Sequence, residues 1–360
     1  MEKKWIVISL IIVFALVIVL VVTQTKKEPG EIRIGAILPL TGESALMGQW
    51  GQRGIELAEE YINNKGGIKG IPLKVIIEDG QGDPKQSVSA YEKLVKIDRT
   101  KIITSIISAV DLALVPLANK DKIFFLSNAT HPNLSNAGSL IFRHSNTVQQ
   151  EVDLILENIS DDTKTMTLAY MNDEYSLAFK EIINKKAVDR GLKTVFVPFE
   201  KGETDFNLIA IKIMEYRPTD CLVVSGLGRN LGLLIAKLKE KSFDKRIIVT
   251  LGFVVTGADR SAGNAIKGVN GVYFDINSNS PDFKKIDELY KNKFNEDMPI
   301  GSLLFFNSLS LMQYAIENTG PLPGKMAIFL KKIKRFEALG EKMTITESND
   351  INPSLKIITF

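Results

Sequence analysis

Cysteine is nearly missing: Cys221 is the only one in 360 residues, which excludes an intramolecular disulfide and leaves packing to hold the fold. Its place in the run Cys221-Leu222-Val223-Val224 reads as a small core residue. Lipid tethering is excluded too, because it needs a cysteine at the end of the N-terminal apolar run. The two histidines, His131 and His144, stand apart without ligand spacing, so no metal site is expected. No charge of one sign accumulates either. The net formal charge is +3, and residues 1–27 carry all of it, with Lys3, Lys4, Lys26 and Lys27 against Glu2. A body that balances to zero lacks the basic field of a general nucleic-acid binder. No G-x-S-x-G elbow occurs, although Gly42-Glu43-Ser44 begins like one. With no nucleophile, base and metal pattern, neither catalytic residues nor a cofactor are expected.

There is one long apolar run. Trp5 to Val22, interrupted only by Ser9, is 18 residues long and spans about 27 Å as a helix at about 1.5 Å per residue. The sequence at its end, Val21-Val22-Thr23-Gln24-Thr25, lacks a small-x-small cleavage site, so residues 1–30 read as a membrane anchor or uncleaved signal segment with a short tether. Lysines flank both sides of the run and leave its orientation open.

At 360 residues, two domains are the default expectation. Residues 31–84 read as one βαβ unit. Ile32-Arg33-Ile34-Gly35-Ala36-Ile37-Leu38 is strand-like and Pro39-Leu40-Thr41-Gly42 ends it. Ile55, Ala58, Tyr61 and Ile62 recur at helical spacing up to Gly66-Gly67, and Leu73 to Glu78 is the next strand. Further strands are expected near 102–107 and 123–127, with helices near 84–98 and 111–120. A second βα series follows Arg143, with strands near 165–171, 193–197, 221–225, 246–250 and 271–275. Helices near 148–158, 175–190, 205–216 and 229–241 connect them.

Two tempting motifs carry little. Gly226-Leu227-Gly228-Arg229-Asn230-Leu231-Gly232 follows a strand, but its third glycine is one residue late for a dinucleotide loop. Asp79-Gly80-Gln81-Gly82-Asp83 lacks the alternating ligands and closing glutamate of a calcium loop, and Asp83 before Pro84 reads as a helix cap.

The wording of Pro39-Leu40-Thr41-Gly42, Gly54-Ile55-Glu56-Leu57-Ala58, Gly66-Gly67-Ile68-Lys69-Gly70 and Asp83-Pro84 resembles the branched-chain amino-acid and amide type of periplasmic binding protein, the receptor of an ABC importer. The resemblance implies an α/β, type I fold: two Rossmann-like lobes joined by a three-crossing hinge, here preceded by one N-terminal transmembrane helix. It implies residues 31–148 plus 277–337 in lobe 1 and 149–276 plus 338–360 in lobe 2, with helices near 282–295 and 303–318 rejoining lobe 1. It further implies a small-molecule ligand between the lobes, an ABC permease's transmembrane subunits as partners, a body outside the cell and no nucleic acid. A sensor is the alternative, though it would need a partner to transmit its signal; an enzyme is a remote third.

Carried over residue by residue, the resemblance puts Ser108 and Thr130 on a ligand carboxylate, with Asn128 and Ala129 in the same turn. Ser108 is equally read as an ordinary helix N-cap. Tyr175 matches a lobe 2 aromatic closing over the ligand, and Met47 and Trp50 fall where the side-chain pocket is lined. The departures are in lobe 2. Where amino-acid receptors of this type carry an acid for the ligand ammonium, this chain reads Thr250-Leu251-Gly252-Phe253, and Leu227 replaces a frequent tyrosine. Leu227, Leu251 and Phe253 are therefore expected to form an apolar wall. Asp111, Glu174 and Asp275 are the acids left as ammonium partners.

Overall fold

The computed structural model describes residues 30–216 and 219–360, so the anchor read at residues 1–30 lies outside the described residues up to Pro29. Among the described residues no helix is long and apolar enough to cross a membrane.

Two sheets organise the chain. The first takes β1 (Ile32–Leu38), β2 (Leu73–Asp79), β3 (Ile102–Ser105), β4 (Phe124–Ser127) and β5 (Ile141–His144), and the second takes β6 (Thr165–Met171), β7 (Lys193–Phe199), β8 (Cys221–Ser225), β9 (Arg246–Val249) and β10 (Asn270–Phe274). Each group is parallel and runs in the same spatial order, β2-β1-β3-β4-β5 and β7-β6-β8-β9-β10. Their central residues are mostly apolar because helices cover both faces of a parallel sheet. In each lobe the strand order reverses beside the first strand, so the carboxyl edges there open the crevice where such sheets bind ligands.

The chain crosses between lobes three times. The first crossing follows His144. The second follows β10, when the chain returns to place helices Pro281–Phe294 and Ile300–Thr319 on lobe 1. The close approach of the latter to helix Ala45–Asn64 depends on Gly54, where a Cβ would stand 2.1 Å from the carbonyl oxygen of Ser302.

The third crossing corrects the expected boundary at 338. Strands β11 (Arg335–Ala338), β12 (Glu341–Ile345) and β13 (Asp350–Pro353) extend the first sheet beyond β5, and only β14 (Leu355–Thr359) joins the second, antiparallel to β10. The reason is a buried pairing. Asp350 of β13 lies opposite Arg143 of β5, and their side chains form an ion pair at 2.7 Å in which Arg143 has no exposed surface. Holding that charge with its partner keeps the strand in lobe 1 until Pro353.

Candidate functional site

The carboxyl edges of the two sheets face each other across a cavity of about 40 Å³. One wall comes from lobe 1: Met47 after β1, Ile106, Ile107 and Ser108 after β3, Asn128, Ala129 and Thr130 after β4, Ser145 after β5, and Leu304. The other comes from lobe 2: Tyr175 after β6, Leu227 after β8, Leu251, Gly252 and Val255 after β9, and Phe274 closing β10. Water-sized groups need about 10–15 Å³ each on this measure, so the closed cavity has room for about three.

Of the residues expected from the sequence, Ser108, Asn128, Ala129, Thr130, Tyr175, Leu227 and Met47 line this cavity. Trp50 and Phe253 do not. Trp50, 2% exposed, sits where the lobes meet, with the Arg260 guanidinium 4.6 Å from its ring centre; a Cβ on Gly257 of lobe 2 would strike it at 2.9 Å. Phe253 lies on the short helix Leu251–Val255, two residues and about 200° around from Leu251, so it points into the core of lobe 2.

Ser108 is the first residue of helix Ser108–Asp121 and not its N-cap. Ile107 holds the cap position without a side-chain bond, at φ 87°. A β-branched residue rarely takes that conformation, which costs about 1–3 kcal/mol. Here it turns the chain sharply out of β3, so that Ile107 and Ser108 both reach the cavity.

The lobe 1 floor is held from behind by neutral hydrogen bonds. Asn128 Nδ2 donates to Thr104 Oγ1 at 2.8 Å and to the Ser105 carbonyl at 3.1 Å, while its Oδ1 accepts from Ser308 Oγ at 2.7 Å. His144 Nδ1 completes the chain at 2.7 Å from Ser308 Oγ; since that hydroxyl donates to Asn128, the network assigns the proton to Nδ1. Arg143 Nη1 donates to the carbonyls of His131 at 3.0 Å and Thr130 at 3.4 Å, so the buried pair with Asp350 also anchors the Thr130 turn.

None of the three acids expected as ammonium partners lines the cavity. Asp111 is buried behind the floor, where it accepts from Ser127 Oγ, which in turn accepts from the Ala129 backbone N–H at 3.2 Å. Asp275 pairs with Lys356 at 3.2 Å on the surface. Glu174 opens the helix Glu174–Asp189 beside Tyr175 without reaching the cavity. Among the described residues, no acid lines it.

A residue that the sequence reading passed over lies just behind the lobe 2 wall. Glu151 has no exposed surface; its Oε2 accepts from the Tyr175 hydroxyl at 2.9 Å and its Oε1 from the Leu251 backbone N–H at 2.5 Å. A signal was available: on helix Val148–Glu157, Glu151 shares its face with Val148, Val152 and Ile155, and an acid on an apolar stripe is costly unless bonded.

Burial makes the stability depend on pH. Asp111, Glu151 and Glu341 have no appreciable exposure, and desolvation pushes each up to about 7. Folded, they keep protons that the unfolded chain releases above the ordinary range, 3.8 for Asp and 4.5 for Glu. Their contribution is complete below about pH 4 and is lost as pH rises through 7. His144, pushed down to about 3, works the other way below 6.5, and burial also lowers His131. Three carboxyls outweigh two histidines, so stability should fall between pH 5 and 7.5 by about 1.4 kcal/mol per unit for each net proton. Thermal melts at both ends of that window check the sign; a higher Tm at pH 7.5 would refute it.

A crevice lined from the carboxyl edges of two parallel α/β sheets is the architecture of two-lobed binding proteins. A family model described as periplasmic binding protein matches residues 31–353, and the chain belongs to that family. The chain is 25% identical to the Leu/Ile/Val-binding protein BraC3 of Rhizobium johnstonii over 336 residues, 89% of each. Its fold matches the Streptococcus pneumoniae branched-chain amino-acid transporter substrate-binding protein LivJ, solved with isoleucine, at TM-score 0.82 and 21% identity, over 92% of this chain and 96% of that one. It also matches an ABC transporter solute-binding protein of R. palustris, solved with benzoate, at TM-score 0.80 and 14% identity, over 91% and 92%. The resemblance to the periplasmic binding proteins read from the sequence is thus borne out, and the fold is theirs over most of the chain.

Proposed function

We propose that this receptor captures a small carboxylate with an apolar body outside the cell and hands it to the transmembrane subunits of an ABC importer. The observation that carries the reading is the division of the cavity: neutral hydroxyl and amide groups on lobe 1, apolar side chains and an aromatic ring on lobe 2, and no acid among the described lining residues. Ser108, Thr130 and the turn at Asn128 and Ala129 take the ligand's oxygens. Tyr175, Leu227, Met47 and Leu251 enclose its body. Isoleucine and benzoate, held by two solved neighbours, share a carboxylate, but only isoleucine brings an ammonium that needs a counter-charge.

In this reading the lobes move as two bodies, residues 31–148 with 277–353 and residues 149–276 with 355–360. Contacts of Tyr175 and Leu227 with the ligand are made only on closure, so the ligand stabilises the closed form. Mass spectrometry of small molecules copurifying with the body from residue 31 tests the ligand class; a bound sugar or cation would discard it.

Thr130→Val keeps the side chain's shape and removes its hydroxyl. Loss of one charge-assisted hydrogen bond should cost about 1.5–3 kcal/mol, roughly a ten- to hundredfold weaker Kd, with stability unchanged. Calorimetry with the copurified ligand measures it, and an unaltered Kd would remove Thr130 from the site.

The Trp5–Val22 run supports a further element of the proposal, a single uncleaved helix that holds the receptor at the membrane. Intact-mass measurement of the membrane fraction should give the full chain. A soluble form beginning near Thr25 as the main product would count decisively against an anchor.

A further inference from the structure

Glu151 stands where a carboxyl group is expensive, on an otherwise apolar helix face with no exposed surface. Its two oxygens reach two separate segments of lobe 2. The Tyr175 hydroxyl, donating to Oε2 at 2.9 Å, belongs to the helix that follows β6. The Leu251 N–H, donating to Oε1 at 2.5 Å, opens the short helix that follows β9. Both segments line the cavity. Thr250, the residue before that helix, makes no side-chain cap bond, and Glu151 supplies from another helix an acceptor for the free N–H of its first residue. Its own helix begins directly after the first crossing between the lobes. There the Thr147 side chain accepts from the Gln150 N–H at 3.0 Å, and the Gln150 side chain accepts from the Thr147 N–H at 2.8 Å.

We propose that Glu151 is a positioning residue of the ligand site, which binds the Tyr175 ring and the start of the Leu251 helix into one wall that closes on the ligand as a unit. It lies behind the wall and does not line the cavity, so it does not serve as the missing ammonium partner. Without it, Tyr175 loses the acceptor that turns its hydroxyl inward, and the ring no longer presents a fixed face to the cavity. Desolvation, which raises the Glu151 carboxyl to about 7, is consistent with a group shielded from water by the wall it supports. The inference rests on the reading that Tyr175 and the Leu251 helix contact the ligand.

The test uses the full chain carrying Glu151→Ala, Glu151→Gln, Tyr175→Phe or Glu151→Gln with Tyr175→Phe. In hydrogen exchange without ligand, Glu151→Ala should speed exchange about tenfold in the peptides covering Asp173–Ser176 and Thr250–Val255 together, with the first lobe unchanged. Glu151→Gln, which keeps an acceptor for the Leu251 N–H, should restore most of the second effect; it carries the comparison if the alanine variant does not fold. With 4-methylpentanoate and benzoate as probes, Glu151→Gln and Tyr175→Phe should each weaken binding about tenfold. The double variant should be no weaker than either, because both break one link. Unchanged exchange in either peptide, or additive losses of affinity, would overturn the proposal. So would altered exchange with undiminished probe binding. Should the native chain bind neither probe, the proposed ligand class fails, while the exchange result still decides for or against Glu151.

Discussion

Asp350→Ala is expected to lower the folding free energy by about 3–5 kcal/mol, because it leaves a fully buried guanidinium without its counter-charge. Arg143 has no exposed surface and pairs with Asp350 at 2.7 Å. Its other partners, the carbonyls of Thr130 and His131 and the Ser135 hydroxyl at 2.7 Å, are neutral. They orient the charge without cancelling it. Two consequences should be separable. The β13 strand loses the pairing that holds the tail in lobe 1, which lowers the urea midpoint of that lobe. The Thr130 turn loses a rigid donor, which weakens ligand binding even where the protein remains folded. Arg143→Met combined with Asp350→Leu removes both charges and should cost much less than Asp350→Ala alone. A loss below about 1 kcal/mol for Asp350→Ala would show that water reaches the guanidinium and that the pair is not the anchor.

Discrimination against a free amino group is the second large effect. Leucine and 4-methylpentanoate share a carboxylate and a branched body and differ by the ammonium alone. Burying that cation against Leu227, Leu251 and Tyr175 without an acid should cost several kcal/mol, more than a hundredfold in Kd at about 1.4 kcal/mol per decade. Asp111 faces Ser127, Asp275 faces Lys356, and Glu151 is spent on Tyr175 and Leu251. We therefore expect 4-methylpentanoate to bind and leucine to bind far more weakly. Calorimetry with both compounds measures the difference directly. Tight leucine binding with none for its des-amino analogue would sink the expectation and send attention to Glu174, the acid nearest Tyr175 in sequence.

Much of this molecule is legible along the chain, for a local reason. A parallel strand buried on both faces must be an apolar run, and a helix laid over it must repeat its apolar residues every three or four positions. The series from Ile32 to Phe274 therefore announces itself, with Gly66-Gly67 and Asp83-Pro84 as stops and starts. The cavity residues Ser108, Asn128, Ala129, Thr130 and Tyr175 could be named because the family resemblance pointed to them, each just past the carboxyl end of a strand, where this topology collects side chains. Trp50 and Phe253 fall in equally suitable stretches. Which way they face depends on helix phase and on how the lobes meet, and that turned one to the lobe boundary and the other to the core.

What only tertiary structure decided are the pairings between distant segments. Nothing near Asp350 reveals that its partner lies at Arg143, so the tail from residue 338 could not be assigned to its sheet. Glu151 shows in sequence only as an acid on an apolar face, and its meaning comes from Tyr175 and Leu251, which folding brings to its two oxygens. Local composition determines which strands and helices form, since burial and periodicity act over a few residues. The balance of buried charge is determined over the whole fold, because a carboxylate or guanidinium removed from water takes its partner from wherever the packing delivers one.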